Sequence, residues 1–344
     1  MKSVFVSEFL CGGGWPDAEF PASLVQEGRL MLQAAIDDLL QNPDVEVSLT
    51  WDRRLDSPPQ HPRVKATVCT QDQEPELFAQ LASQAEATLV IAPESEQILL
   101  HRMKQLEQWQ KPCLGCGSGS QFAHDKWQTA KELIRQQIPT IPTVLFKDWY
   151  AEMEPVKSTT NQWVVKSRWG CGGEELKRCT TDELAQMAET MVEQQEELVV
   201  QPWREGMPCS IGVLSHPQGV LRFPLTRQNI LWENGFQYTG GTILPRYESP
   251  ELQTTLDALA IAITKQPGMN GYFGVDFLLD EQQQDLISVV EINPRLTSSF
   301  VGYRELLSKQ CEQSLSLLLE ADIKKLQSAI KTLWSCEDFT FCVE

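Results

Sequence analysis

The chain has 344 residues, with 29 Lys and Arg against 47 Asp and Glu, a formal charge of −18 at pH 7. Phosphate-backbone binding needs a basic face, and no basic cluster interrupts the acidic background, so no nucleic-acid partner is expected. With 42% hydrophobic and 22% charged residues, the composition is that of a globular chain whose length predicts two or three domains.

The apolar runs, such as 89–92 and 317–319, fall far short of the roughly 18 residues that suggest a membrane span. Glu8 interrupts the start before a signal-peptide core forms, so a cytoplasmic protein with no membrane partner is expected. The ten cysteines then read as reduced thiols packed as small core residues. Cys113 and Cys116 form one CxxC without a second pair, and His61, His101, His124 and His216 show no zinc spacing. A structural role is favoured over a metal or redox one.

In chain order, Val4-Phe5-Val6 reads as a strand ending in the turn Gly12-Gly13-Gly14. Ser23 with Gln26 resembles a capping box for an amphipathic helix to about Leu40. Val45, Val47, Leu49 and Trp51 alternate with polar residues as in a half-buried strand, and Val64, Ala66 and Val68 repeat that pattern. A helix near 75–87, a strand from Thr88 to Ala92, a helix to about Gln110 and the segment Cys113–Cys116 complete a βαβ-like series. Such a series predicts an open parallel sheet with ligands beyond the carboxyl ends of its strands, where Gly12, Gly13 and Gly14 would lie. A nicotinamide site is not expected, because the three glycines lack the GxGxxG spacing and Pro16 and Pro21 delay the helix that would hold a pyrophosphate. The glycines read either as a tight turn or as a substrate contact.

From Ser120 the pattern changes. Asp125-Lys126 opens a helical segment running to about Gln136, and Trp163–Lys166 is a strand that leads into Arg168-Trp169-Gly170-Cys171-Gly172-Gly173-Glu174. The spacing predicts a second strand over 175–179 and a capping box at Thr180 and Glu183 that opens the next helix. These glycines therefore join strand to strand, unlike a Walker or Rossmann loop, and suit a flexible hairpin whose bare amides fold over an anion. The remainder reads as antiparallel sheet, with strands near 198–201, 211–214, 219–225 and 272–279, and helices near 251–265 and 303–333.

The polar turn Glu281-Gln282-Gln283-Gln284-Asp285 carries the strongest inference. If 273–280 and 286–293 form a hairpin centred near 283 and 284, Asp276 faces Glu291. Residues i and i+2 share a strand face, so Asn293 joins the two carboxylates, while Val275, Phe277, Val290 and Ile292 point into the core. Opposed like charges destabilise a sheet unless something positive lies between them. Two carboxylates and an amide carbonyl suit magnesium, which takes one or two protein carboxylates and completes its shell with water and phosphate. Arg295 follows at once and adds a fixed cation.

Lys126, Val165-Lys166 with Gly170, Gly172 and Gly173, the run 198–206, Gly274 to Phe277 and Val290 to Arg295 follow one another in the order of the ATP-grasp ligases. Over residues 120–310 the chain resembles that family. Glu8 with Cys11 to Gly14, Gln26-Glu27-Gly28, Pro224 to Gln228 and Tyr238 to Gly241 look like the subgroup containing the tyramine-glutamate ligase of methanofuran biosynthesis. The resemblance implies an α/β and α+β architecture: an N-terminal Rossmann-like parallel-sheet domain at 1–119, a central lobe at 120–200, and a C-terminal lobe at 201–344, with ATP between the lobes.

It implies further that Lys126 and Lys166 contact nucleotide phosphates beneath the hairpin at Gly170, Gly172 and Gly173. Val200, Gln201 and Trp203 would meet adenine, while Asp276, Glu291 and Asn293 would hold magnesium or, alternatively, manganese. Lys166 and Arg295 would act on the transferred phosphoryl group. Met207 and Pro208 stand where many members place a ribose-binding glutamate, which leaves Glu205 as a substitute. Gly12, Gly13, Gly14, Arg227 and Gln228 would meet substrate.

The implied reaction joins a small carboxylic acid to an amine through an acyl phosphate, with glutamate and tyramine or a related amine as the narrow expectation. Another acid and amine, or an ATP-binding regulatory module without catalysis, remain as alternatives, and a homo-oligomer stays open. The hairpin at 170–174 and the segment 234–241 are expected to act as lids.

Overall fold

The computed structural model describes the whole chain except residues 17, 154–159, 171–175, 191–196, 233–235, 281, 284–285, 311 and 344. The apolar run at the start is a strand, β1 (Lys2–Glu8), flanked in a four-stranded parallel sheet by β2 (Val45–Asp52) and β4 (Ala87–Ile91), with β3 (Val64–Cys69) outermost. Val4, Phe5 and Val6 are all fully buried, as expected where helices cover both faces of a parallel sheet. On the edge strand β3 the alternation fails at Val68, which is 56% exposed.

The helix Ala22–Leu39 follows β1, but the capping box does not form. Pro21 is the N-cap, no side chain caps the helix, and Ser23 already lies inside its first turn. Pro21 presets the backbone angle that the helix start needs. The segment at Cys113–Gly115 bridges Thr88 on one side and Tyr272 on the other, so the CxxC stretch joins the parallel sheet to the largest sheet of the molecule. Burial pushes the Cys113 thiol up to about 11 and the Cys116 thiol well above its ordinary value, consistent with a packing role.

A second sheet contains β5 (Val144–Leu145), β6 (Gln162–Ser167), β7 (Lys177–Thr180) and β8 (Leu198–Pro202), in the antiparallel order β5-β8-β6-β7. The glycine segment joins β6 to β7 as an antiparallel pair, with Val165 opposite Lys177. The start of the expected second strand, together with Gly172 and Gly173, lies outside the described residues. The capping box at Thr180 does form: its N–H donates to the Glu183 carboxylate at 2.7 Å, and the Glu183 N–H donates back to its Oγ1 at 3.3 Å.

The third sheet holds β9 (Met207–His216), β10 (Gly219–Arg222), β11 (Thr226–Leu231), β12 (Gln237–Ile243), β13 (Gly271–Leu279), β14 (Ile287–Asn293) and β15 (Phe339–Cys342). Its order is β14-β13-β9-β11-β12-β15, with β10 also on β9. Leu252, Leu256 and Ile263 of the helix Pro250–Thr264 share a core with Phe273, Val275 and Phe277. The helix Ser299–Lys309 puts Phe300, Tyr303 and Leu307 in a core with Tyr272 and residues of the first helix.

Two expectations are corrected here. The helix expected over 303–333 is three helices, Ser299–Lys309, Leu315–Leu319 and Ile323–Leu333. The buried Asp38 carboxylate accepts from the N–H groups of Ser314 at 3.0 Å and Leu315 at 2.7 Å, which holds the start of the second of these helices apart from the end of the first. Residues 237–241 of the expected lid are instead strand, paired with β11 on one side and, at Gly240 and Gly241, with β15 on the other. Among the described residues no helix is long and apolar enough to cross a membrane.

Candidate active site

The register of β13 and β14 decides the site. Asp276 lies opposite Glu291 and Gly274 opposite Asn293, but one step further Phe277 lies opposite Val289. Val290 is therefore the extra residue of a β-bulge. It turns out of the core into the neighbouring cleft, and Val289 takes the buried place expected of Val290. Val275, Phe277 and Ile292 are buried as expected. The Asn293 amide donates to Asp276 Oδ2 at 2.9 Å, and the Gln228 amide donates to Asp276 Oδ1 at 3.1 Å.

Opposite these carboxylates stand two lysines from elements far apart in the chain. Lys166 is the penultimate residue of β6, and Lys126 opens the helix Lys126–Arg135, whose N-cap is Asp125. Asp125 Oδ1 accepts from the Trp127 N–H at 3.0 Å and from Arg168 Nε at 2.9 Å, and the Lys126 N–H donates to the Arg168 carbonyl at 3.1 Å. The helix start is thereby fastened to the end of β6. Lys126 Nζ lies 3.6 Å and Lys166 Nζ 3.8 Å from Glu291 Oε2, and Lys126 Nζ also donates to the Gly170 carbonyl.

The titrations follow from this crowding. Burial, opposed by Glu291, lowers the Lys166 ammonium to about 8. Burial, reinforced by Glu291, raises the Asp276 carboxyl to about 7. Burial alone would raise Glu291 as well, but Lys126, Lys166 and Arg295 outweigh it and hold that carboxyl below its usual range. Among the described residues no cluster of three or more His, Cys, Asp or Glu is poised for a metal. An all-oxygen set of two carboxylates and an amide fits a magnesium ion that keeps water and phosphate ligands, and does not fit a zinc-type cage.

These groups form one end of a cleft of about 670 Å3 between the second and third sheets. Gln201, Trp203 and Glu205 line the rest of it with Leu231, Trp232 and Phe236. The Gln201 amide donates to Thr143 Oγ1 at 2.8 Å, and the Trp203 indole donates to Glu205 Oε1 at 2.6 Å. The Trp203 and Trp232 rings meet edge to face at 5.2 Å. Val200 does not reach the cleft. Its side chain is fully buried in the core packed against the second sheet, while its backbone pairs with β5 and β6.

Beyond the carboxylates lie two smaller cavities. One, of about 180 Å3, shares Asp276, Glu291 and Gln228 with the cleft and adds Asn293, Tyr238, Ser298, Arg295 and Glu27. The other, of about 390 Å3, shares Glu27, Leu24 and Arg295 with the first and is walled by the loop after β1. Arg295 is thus not on the wall of the large cleft. Its Nε donates to Glu94 Oε1 at 2.9 Å, which ties it to the end of β4. Gly14 lines the 390 Å3 cavity, whereas Gly12 and Gly13 make the turn itself, Gly12 donating to the Glu8 carbonyl at 2.9 Å and Gly13 adopting φ +94°. Arg227 is exposed and lines none of the three spaces. Sequence reasoning gave no role to Glu94 or Ser298, and noted Glu27 only within Gln26-Glu27-Gly28 and Tyr238 only within the segment 234–241; the distant chain segments that bring them here leave no local signal.

Comparison with known proteins gives a consistent picture. Residues 123–299 match the model of the ATP-grasp domain, and residues 45–120 match that of the pre ATP-grasp 3 domain. The chain is 25% identical over 303 residues to the tyramine–L-glutamate ligase of Methanocaldococcus fervens, covering 86% of this chain and 88% of that protein. A crystal structure of a protein assigned to the ATP-grasp superfamily from Archaeoglobus fulgidus superposes with a TM-score of 0.68 at 22% identity, covering 93% of this chain and 88% of that one. The ADP complex of an N5-carboxyaminoimidazole ribonucleotide synthetase superposes with a TM-score of 0.66 at 16% identity, covering 100% of this chain and 80% of the other.

Proposed function

Since this chain belongs to the ATP-grasp domain family, we propose that it is an ATP-dependent ligase that activates a small carboxylic acid as its acyl phosphate and joins it to an amine. The observation that carries this reading is the convergence of Lys126 and Lys166 on Glu291 at one end of a cleft whose volume of about 670 Å3 suits a nucleotide-sized ligand. In this reading the adenine lies toward Gln201 and Trp203, with Glu205 near the ribose, and the phosphates lie toward the two lysines.

Asp276, Glu291 and Asn293 would hold magnesium, which neutralises charge on the transferred phosphoryl group when bound. Lys126 and Lys166 supply fixed positive charge to the same oxygens and orient them for attack by the substrate carboxylate. The site has no need of a protein nucleophile, because phosphoryl transfer asks for positioning and charge neutralisation. Arg295 stands behind the carboxylates, where the two smaller cavities meet, and would face the acid rather than the nucleotide.

The similarity to tyramine–L-glutamate ligases supports glutamate as the acid and an aromatic primary amine as its partner. The test is ADP release with L-glutamate held constant and the amine varied over tyramine, other arylethylamines, short alkylamines and amino acids, with product mass measured. A glutamyl amide of an arylethylamine is the expected product. ADP release that depends on a different acid would keep the ligase and replace the substrate.

A further inference from the structure

The 390 Å3 cavity beyond the carboxylates has a chemistry of its own. Among the described residues its wall carries three acidic side chains, Glu8, Glu27 and Glu96, and one cation, Arg295, which already holds Glu94. The rest of the wall includes Phe9, Trp15, Leu24 and Met31. An acidic, partly aromatic space repels a second carboxylate and suits a cation with an apolar body.

Glu27 is where this space opens toward the reacting end. It lines both smaller cavities and comes from the first helix, while Asp276 and Glu291 on the far side of the 180 Å3 cavity come from β13 and β14. Its carboxyl, raised by burial, lies beside Arg295 and Ser298, and Glu8 lies near enough to feel its charge. The Tyr238 hydroxyl, on the wall of the same 180 Å3 cavity, is buried beside Ser298 and Ser299 and makes no full hydrogen bond among the described residues. It is a donor or acceptor left for something small and polar that enters there. Gly28 leaves no room for a side chain, since a Cβ would come within 2.6 Å of Glu8 Oε1. The helix therefore approaches the end of β1 closely enough to bring Glu27 to the junction.

We propose that the 390 Å3 cavity is the amine site, that it takes a primary ammonium with an apolar body, and that Glu27 receives the ammonium and accepts its proton. This rests on the ligase reading given above. One N–H proton passes to the Glu27 carboxylate, and the freed nitrogen lone pair attacks the acyl-phosphate carbonyl carbon. The carbon–oxygen bond to phosphate breaks, and inorganic phosphate leaves with the electron pair and the second amine proton. Glu27 then returns its proton to solvent.

The test separates activation of the acid from attack by the amine. Hydroxylamine is small, uncharged at neutral pH and traps acyl phosphates as hydroxamates, so it needs neither an ammonium anchor nor the apolar wall. With ATP, magnesium and L-glutamate, the ratio of tyramine amide to hydroxamate is measured for wild type, Glu27→Gln and Leu24→Trp, alongside tyramine binding by equilibrium dialysis. The expected result is a ratio at least a hundredfold lower in Glu27→Gln, and weaker tyramine binding in both variants, with hydroxamate still forming. An unchanged ratio in Glu27→Gln overturns the assignment of Glu27. Tyramine binding untouched by Leu24→Trp overturns the assignment of the cavity, and loss of both products in Glu27→Gln moves Glu27 to acid activation and overturns its role toward the amine. A wild type that forms no hydroxamate from glutamate overturns the underlying ligase reading instead.

Discussion

Asp276 and Glu291 face each other directly across β13 and β14, yet their carboxyls are driven in opposite directions, Asp276 up to about 7 and Glu291 below its usual range. The difference lies in what each meets: Lys126 and Lys166 both point at Glu291, while Asp276 has the amides of Gln228 and Asn293. Without a divalent ion, Asp276 is half protonated near neutrality. Magnesium binding at pH 7 is therefore expected to release protons, measured in weak buffer with an indicator dye, and Asp276→Asn is expected to abolish the release.

Glu291→Gln and Asp276→Asn are each expected to lower kcat by about a hundredfold or more without unfolding the protein. ADP release across a magnesium titration reads the first effect and circular dichroism the second. Turnover near wild type in both variants at limiting magnesium removes the metal assignment.

Glu8 supplies a pH dependence away from the cleft. Burial raises its carboxyl from 4.5 to about 7, so between those values the folded chain holds a proton that the unfolded chain has lost. The Glu8 contribution to stability is full at low pH and is lost as pH rises through about 7, a change of up to about 3 kcal/mol. Glu8→Gln keeps an acceptor for the Cys11 N–H, 2.6 Å away, and is expected to flatten part of the fall in denaturation midpoint between pH 4.5 and about 7.

Asp125→Ala removes a helix cap and the partner of Arg168 together. A loss of about 1 to 2 kcal/mol in urea unfolding is expected. Because Asp125 fastens Lys126 to the end of β6, KM for ATP is expected to rise more than kcat falls.

Asp38 tests the fold alone. It is fully buried, 3.2 Å from the buried Arg304, and it accepts from the N–H groups of Ser314 and Leu315. Asp38→Ala leaves a buried guanidinium uncompensated, and a loss of about 3 to 5 kcal/mol is expected, read by denaturant titration.

The Asp276–Glu291 pairing was legible in the sequence because a polar turn between two alternating runs fixes the register within a residue. The bulge at Val290 was not, since one inserted residue leaves the hydrophobic pattern almost unchanged. The strands β11 and β12 were missed or misjudged because Thr226–Leu231 lacks alternation and Gly240-Gly241 reads as loop; pairing with neighbours decides their state. The long closing helix failed for the same kind of reason. Its break depends on Asp38, more than 270 residues away in sequence. Lysines and carboxylates at strand and helix ends announced the cleft, whereas Glu27 and Tyr238 reach their cavities, and Glu94 reaches Arg295, only through packing between distant segments.

The most direct measurement follows oxygen. L-Glutamate labelled with 18O in its carboxylates is incubated with ATP, magnesium and tyramine, and the inorganic phosphate is analysed by mass spectrometry. An acyl-phosphate ligase delivers one 18O to each phosphate and forms one ADP per amide. Phosphate without label beside a labelled amide, or release of AMP and pyrophosphate, contradicts the account.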